Sequence, residues 1–252
     1  MSPFSPERIN PQLPATLPEI LSRVSLDVVL ITHNHFDHFD TAVVPTMPAG
    51  ITWVVPKGMA NLVRKSGLRQ GSTIVELDWW QSHLLEVRST KLHLTALPAM
   101  HWSSRNGFDT NQSLWCSYSL VASSSMTSGQ SSPAASTGSS KRVSRVYFSG
   151  DTGYSPSLTR SIGLHSGPFD LAFLPIGSYA PRWHMAPQHV SPEDSVAIAK
   201  DIGARKAIGM HWGTWMMSDE GWEEPVLELE KLVANEPAGW FETTYLGETR
   251  SM

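Results

Sequence analysis

A layered α/β domain is the fold class that this 252-residue sequence predicts. Two observations carry the expectation. Short apolar runs rich in β-branched residues recur along the chain, and helical stretches stand between them in mixed order, as in a layered α/β protein. The length agrees, because a chain of this size encloses one sizeable core or two small ones.

In order, the strand candidates are "DVVLIT", "ITWVVP", "STIVEL", "KLHLTAL", "RVYFSG", "DLAFLP" and "KAIGM". Each is a nearly continuous apolar run bounded by Gly, Pro or polar residues, which predicts strands covered on both faces. "SPEDSVAIAKDIG" is the clearest helix. Ser191 suits the N-cap, Pro192 the first turn, Asp194 the acid of a capping box and Gly203 the exit. "GMANLVRKSG" and "EPVLELEKLVANEP" are further helix candidates. Residues 122–142, "ASSSMTSGQSSPAASTGSSKR", offer almost nothing to bury and are expected to form a disordered insert within a single domain spanning residues 8–250. There are no internal repeats.

Composition excludes several classes of function. Hydrophobic residues at 40% and charged residues at 17% suit a soluble globular protein. A net charge of -4 leaves no basic footprint for nucleic acid. The single cysteine, Cys116, excludes an internal disulfide framework, fits a reducing compartment, and reads as strand packing in "SLWCSYSL". No apolar run approaches a membrane span, and the proline-rich N-terminus lacks the apolar segment of a secretion signal. The expected location is intracellular, cytoplasmic or peripheral on a membrane, with a mitochondrial one open; a homo-oligomer is also left open.

The chemistry sits in "HNHFDH", at the end of the first strand. Four potential ligands, His33, His35, Asp37 and His38, fall within six positions, where unpaired imidazoles and carboxylates would be costly to bury. They are too many for one tetrahedral ion with other ligands. Two adjacent ions fit better, His33 and His35 on one, Asp37 and His38 on the other. Single residues after later strands repeat the placement: His101 would complete the first set, His211 would join the second and Asp151 could bridge both. Taken alone, His101 and His211 read as core or surface histidines, and Asp151 before Thr152 and Gly153 as a turn former. The cluster at 33–38 changes that weighting. A mixed His and carboxylate set favours zinc, with iron or manganese as alternatives, and two such ions can hold a hydroxide between them. The remaining histidines, His83, His93, His165 and His184, read as structural or surface residues.

H-x-H-x-D-H followed by isolated His, Asp and His at strand ends resembles the metallo-β-lactamase superfamily, an αββα sandwich. More narrowly, "LITHNHFDHFD", "VELDWW", "HWSSR", "YFSGDTGYSPSL", "GPFDLAFLPIGSYAPRW", "QHVSPEDSV" and "HWGTW" resemble the N-acylphosphatidylethanolamine-hydrolysing phospholipase D family. The resemblance implies a dizinc phosphodiesterase that acts on a phospholipid, releases an N-acylethanolamine and leaves phosphatidic acid. Its metal ligands fall on the same seven residues. It implies catalytic parts for Asp37, among the ligands, and for His189, which would contact substrate; entry to the following helix is the alternative reading of His189. Phe36 stands in a substrate-facing position where many relatives have tyrosine. Arg182 reads as a paired or solvated arginine, Trp79 and Trp80 as packing, and Asp78 as a minority candidate for an outer partner of a ligand histidine. The family carries strands before the first motif, so the sandwich is expected to lack its first strands and to leave a sheet edge unpaired. Alternatives are a superfamily hydrolase for a lactone or another phosphodiester, and a metal-binding protein disabled by the shortened N-terminus. Peripheral membrane contact is the expected mode of meeting the substrate.

Overall fold

The computed structural model describes residue 9, residues 14–124 and residues 142–250. It builds two sheets in four layers. Helix α1 (Leu17–Arg23) precedes β1 (Val28–Leu30), β2 (Thr52–Pro56), α2 (Ala60–Lys65) and β3 (Thr73–Leu77). These three strands pair in parallel in the order β1-β2-β3, and among the described residues no strand pairs with the outer edge of β1. The second sheet takes β4 (Ser82–Val87), β5 (Thr90–Leu97), β6 (Ser117–Ser124), β7 (Arg142–Phe148), β8 (Leu171–Pro175), β9 (Ala207–Met210) and β10 (Phe241–Thr243). Its order is β10-β9-β8-β7-β6-β5-β4, antiparallel from β4 to β7 and parallel from β7 to β10. Helices α3 (Pro156–Ser166), α4 (Arg182–Met185), α5 (Pro192–Asp201) and α6 (Glu224–Leu232) follow the later strands.

Three apolar clusters separate the layers. Val54, Leu77, Leu94, Ala96, Cys116 and Tyr118 fill the space between the sheets. Trp53 and Val55 point from the other face of β2 toward Met59 and Val63 at α2. Leu174 on β8 packs with Ile162 of α3, Ile198 of α5 and Leu229 of α6. Strand β2 is thus buried on both faces, as its unbroken apolar run requires. Tyr118 ties the sheets together by donating its buried hydroxyl to the Ile31 carbonyl at 2.9 Å.

The helix starts follow local chemistry. Ser191 Oγ accepts from the Asp194 amide, and the Asp194 carboxylate accepts from the Ser191 amide, closing the expected capping box. At α2 the Glu76 carboxylate accepts from the amides of Gly58 and Ala60.

Three expectations need correction. Ala122 to Ser124 are not loop but continue β6, and Arg142 opens β7, because a register through Ala122↔Ser144 extends the hairpin; the rest of the Ser-rich stretch lies outside the described residues. Strand β5 is covered on both faces only in its C-terminal half, since its first residues alternate with solvent. Asp78 serves no ligand histidine: it pairs with Lys57 at 2.9 Å and accepts from the Trp79 amide. Trp79 packs between the sheets and donates Nε1 to the Trp115 carbonyl, whereas Trp80 stands partly exposed at a positive φ.

Candidate metal centre

The C-terminal ends of β1, β5, β7 and β9 open on one rim, and each delivers an expected ligand. After β1 the chain stays buried through Thr32, His33 and Asn34, then turns as the amides of His38 and Phe39 both donate to the His35 carbonyl. That turn brings Asp37 and His38 back beside His33. After β7, Gly150 lies at φ +60 with its Cα hydrogen against Thr32; a Cβ there would sit 2.7 Å from the Thr32 Cβ. Only glycine allows Asp151 to approach the first turn so closely. His211 follows β9 at φ 60, a strained setting for a residue with a side chain, and its carbonyl is backed by Gly177, where a Cβ would lie 2.2 Å away.

The seven residues converge as two neighbouring groups. One ligand atom from each of His33, His35 and His101 lies within 4.8 Å of the others, and the same holds for Asp37, His38, Asp151 and His211. His101 Nε2 is 3.1 Å from His35 Nδ1, and His38 Nε2 is 3.3 Å from His211 Nε2. Asp151 stands between the groups. Its Oδ2 lies 3.1 Å from His38 Nε2, 3.8 Å from His101 Nε2 and 3.9 Å from His33 Nε2, while its Oδ1 lies 3.4 Å from His211 Nε2.

Partners outside the cluster orient the rings. Thr32 Oγ1 holds His33 Nδ1 at 3.0 Å, and His101 Nδ1 donates to the Gln188 carbonyl at 3.0 Å, so that in both rings Nε2 is the nitrogen turned inward. Burial drives the pKa of His33 well below its usual range, lowers that of His35, and takes His101 down to about 3. His38 behaves oppositely. Burial is the largest single influence and works downward, but the Asp151 charge and the hydrogen bonds to Asp151 and Asp37 outweigh it and push the pKa up to about 10. His211 is raised for the same reason, and these two imidazoles hold Asp37 and Asp151 well below the carboxylate range against the opposing effect of burial.

The donor set fits a transition-type cation. His33 Nε2 and Asp151 Oδ1 are buried without a hydrogen-bond partner. Buried polar atoms are nearly always satisfied, and inward-facing nitrogens beside carboxylate oxygens are what zinc-like ions take. His189 also points here. Its Nδ1 is buried without a hydrogen bond, 3.9 Å from Asp151 Oδ2, and it forms a third close set with His101 and Asp151. Burial lowers its pKa to about 4. Phe36 takes no place in these groups; it is 61% exposed beside them, its ring over Arg105. Arg182 is paired, with Asp194 at 2.6 Å, and also donates to the His189 carbonyl. A cavity of about 150 Å³ opens at the second group, lined by Asp37, His38, Ser178, His211, Trp212 and Thr214 among others.

Sequence reasoning left out the supporting residues. Glu220, a buried carboxylate, accepts from the amides of Ser178, Tyr179 and Ala180 and from Ser218 Oγ, tying the segment after β8 to the loop after His211. Arg105 donates to the carbonyls of Asn34 and Phe39. Neither has a spacing signature, since apart from Ser218 these partners are backbone atoms distant in the chain.

An αββα layering with this His and Asp cluster at the strand ends defines a metallo-β-lactamase-type protein. The chain belongs to the family described as the beta-lactamase superfamily domain, whose pattern matches residues 5–212. It is similar to the mitochondrial N-acyl-phosphatidylethanolamine-hydrolyzing phospholipase D of Saccharomyces cerevisiae, with 35% identity over 232 residues covering 91% of this chain and 44% of that protein. N-acyl-phosphatidylethanolamine-hydrolyzing phospholipase D 1 of Caenorhabditis elegans is 33% identical over 214 residues, covering 82% of this chain and 55% of that one. The chain thus spans about half the length of the curated relatives it matches. Among solved structures, Igni18, a metallo hydrolase from Ignicoccus hospitalis, superposes with a TM-score of 0.64 at 19% identity over 95% of this chain and 84% of its own; that likeness bears on the fold alone.

Proposed function

We propose that the chain is a metal-dependent phosphodiesterase of phospholipase D type that cleaves N-acylphosphatidylethanolamine into an N-acylethanolamine and phosphatidic acid. The observation that carries the reading is the convergence of seven His and Asp side chains into two adjacent groups sharing Asp151. Similarity to proteins named for that reaction supplies the substrate class. His33, His35 and His101 would hold one zinc ion; Asp37, His38 and His211 would hold a second, with Asp151 shared. When bound, such a pair supplies Lewis-acid neutralisation of phosphoryl charge and activation of water.

The protein's own groups do the rest. Asp37 and Asp151 set the negative charge that makes the rim selective for cations. His189, kept neutral by burial, offers one N–H at pH 7 and would orient a phosphoryl oxygen beside Asp151. The cavity beside Asp37, His38 and His211 would take the headgroup. Among the described residues no helix is long and apolar enough to cross a membrane. Phe36 and Trp102, exposed next to the centre, would meet the lipid.

The test is a comparison of purified protein on N-acylphosphatidylethanolamine and on a generic phosphodiester, before and after chelation and again after zinc is restored. Chelator-sensitive release of N-acylethanolamine together with phosphatidic acid is the expected result. Release that survives chelation, or turnover of the generic ester alone, overturns the reading.

A further inference from the structure

We propose that Arg105 is a positioning residue that clamps the turn of residues 33–39, an inference that rests on reading that turn as metal-holding. Its Nη1 donates to the carbonyls of Asn34 and Phe39, each at 2.7 Å. Those carbonyls bracket the segment that carries His35, Asp37 and His38, so one guanidinium fixes both ends of the span serving both groups. Nη1 has two hydrogens, one for each carbonyl, and the planar fork leaves little freedom once both bonds form.

The surroundings show a group built to stay in place. Among the described residues Arg105 forms no ion pair. Asp109 instead accepts from the amides of Arg105 and Asn106 and from Ser104 Oγ, shaping the loop that presents the guanidinium. The Phe36 ring lies 4.1 Å from the guanidinium carbon and Phe39 lies 5.8 Å from it on the inner side. Partial burial lowers the Arg105 pKa, yet arginine remains charged throughout the working range. A cation beside a cluster of cation-binding residues is electrostatically adverse, so the clamp's placement argues for a geometric role: it holds carbonyls, not the carboxylates of the centre. Phe36 thereby has a structural role as the lid of this clamp, separate from any contact with substrate.

The test compares the wild type with Arg105→Met, which keeps volume but loses every donor, and Arg105→Lys, which keeps charge but not the fork. Each is stripped of metal and titrated with Co²⁺ or Zn²⁺ against a competing chelator. Arg105→Met is expected to lose about 10–100-fold in affinity, the scale for partners that orient ligands. Its Co²⁺ absorption bands should shift, and Arg105→Lys should recover part of both. In the metal-free proteins, exchange of the amides at 34–39 should accelerate by about tenfold or more in Arg105→Met while β8 and β9 stay protected. Wild-type affinity, spectrum and exchange in Arg105→Met overturn the clamp. If Arg105→Met does not fold, Arg105→Lys decides: intermediate values support the clamp and wild-type values overturn it. A wild type that takes up no metal while the variant's turn exchanges faster refutes the metal reading and leaves the clamp standing; a wild type that binds metal with the variant unaffected does the reverse.

Discussion

The two halves of the candidate metal centre shift the same residue type in opposite directions. In the inner trio, His33, His35 and His101 lie among one another and burial favours their neutral forms. In the outer set, His38 and His211 are somewhat less enclosed, and the carboxylates of Asp37 and Asp151 within 3.1 to 3.5 Å raise the pKa of both, that of His38 to about 10. The difference teaches that carboxylates within hydrogen-bond reach can outweigh burial in setting the direction of a histidine's shift. The trio is ready to donate lone pairs; in the outer set His38 holds a proton where a cation would sit, and a cation has to displace it.

Asp151 is where the comparison breaks most completely, because it faces both groups. Replacing it with Asn keeps the shape and removes the charge. We expect Asp151→Asn to lower metal-dependent turnover by about a thousandfold or more, the equivalent of roughly 4 kcal/mol of lost stabilisation. The metal content of purified protein should fall together with activity. A variant that retains two equivalents of metal and wild-type turnover would show that the groups do not share this carboxylate.

Acidity separates the halves next. For His38, whose pKa is raised from 6.5 to about 10, the stabilisation of the metal-free fold is complete below 6.5 and lost as pH climbs through 10. For His101, lowered from 6.5 to about 3, the neutral form is the favoured one, so its contribution is present above 6.5 and lost as pH falls toward 3. The metal-free protein should therefore weaken in both directions from near neutrality, as thermal melts across pH 4 to 10 would record. Metal uptake by the outer set should weaken by about tenfold for each unit that pH drops below 10, through the proton displaced from His38. Calorimetry in buffers of differing ionisation enthalpy would count the protons released. Binding with no proton release contradicts the raised pKa of His38.

Removing one histidine from each half sharpens the contrast at the level of stability. His101→Ala leaves the Gln188 carbonyl without its buried donor and opens space beside His33, so the metal-free protein should lose about 1–3 kcal/mol. His211→Ala instead removes the imidazole held between Asp37 and Asp151, and because the pKa of His211 is raised its effect should depend on pH, larger at 6 than at 10. Denaturant melts of both variants at the two pH values check this. Equal, pH-independent losses would mean that the two histidines share one environment.

Much of this was legible in the sequence, for physical reasons that differ by element. Strands β2 and β8 announced themselves because both faces are covered, and α5 because Ser191 and Asp194 write a capping box into adjacent residues. Strand β4 went unseen: it alternates between exposed and half-buried positions at the sheet edge, so "SHLLEV" contains no apolar run. Helix α3 lacks a side-chain cap at Ser155, and β10 owes its three residues to pairing with β9. The expected ligands were legible because chemistry demanded costly residue types at strand ends. Their supports were not, since Thr32, Gln188, Glu220 and Arg105 work through ordinary side chains or bare carbonyls that only tertiary structure brings into range.

His189 is the position where the smallest effect carries the finest distinction. Its ring stacks 5.8 Å from that of His211 and meets that of His101 edge-on at 5.1 Å, bridging the two halves without belonging to either. If it passes a proton to the leaving alkoxide, its loss should cost about 10²–10⁴-fold, the usual return of general acid catalysis. A group whose pKa lies near 4 is mostly unprotonated at pH 7 and is a poor acid there. The orienting role is therefore the stronger expectation. His189→Gln, which keeps an N–H in roughly the same place, should cost only about tenfold in kcat, or some 1.4 kcal/mol, with metal content unchanged. His189→Ala should cost more, and the rate profile of both should keep the wild-type acid limb. Displacement of that limb in His189→Gln would instead assign His189 the proton.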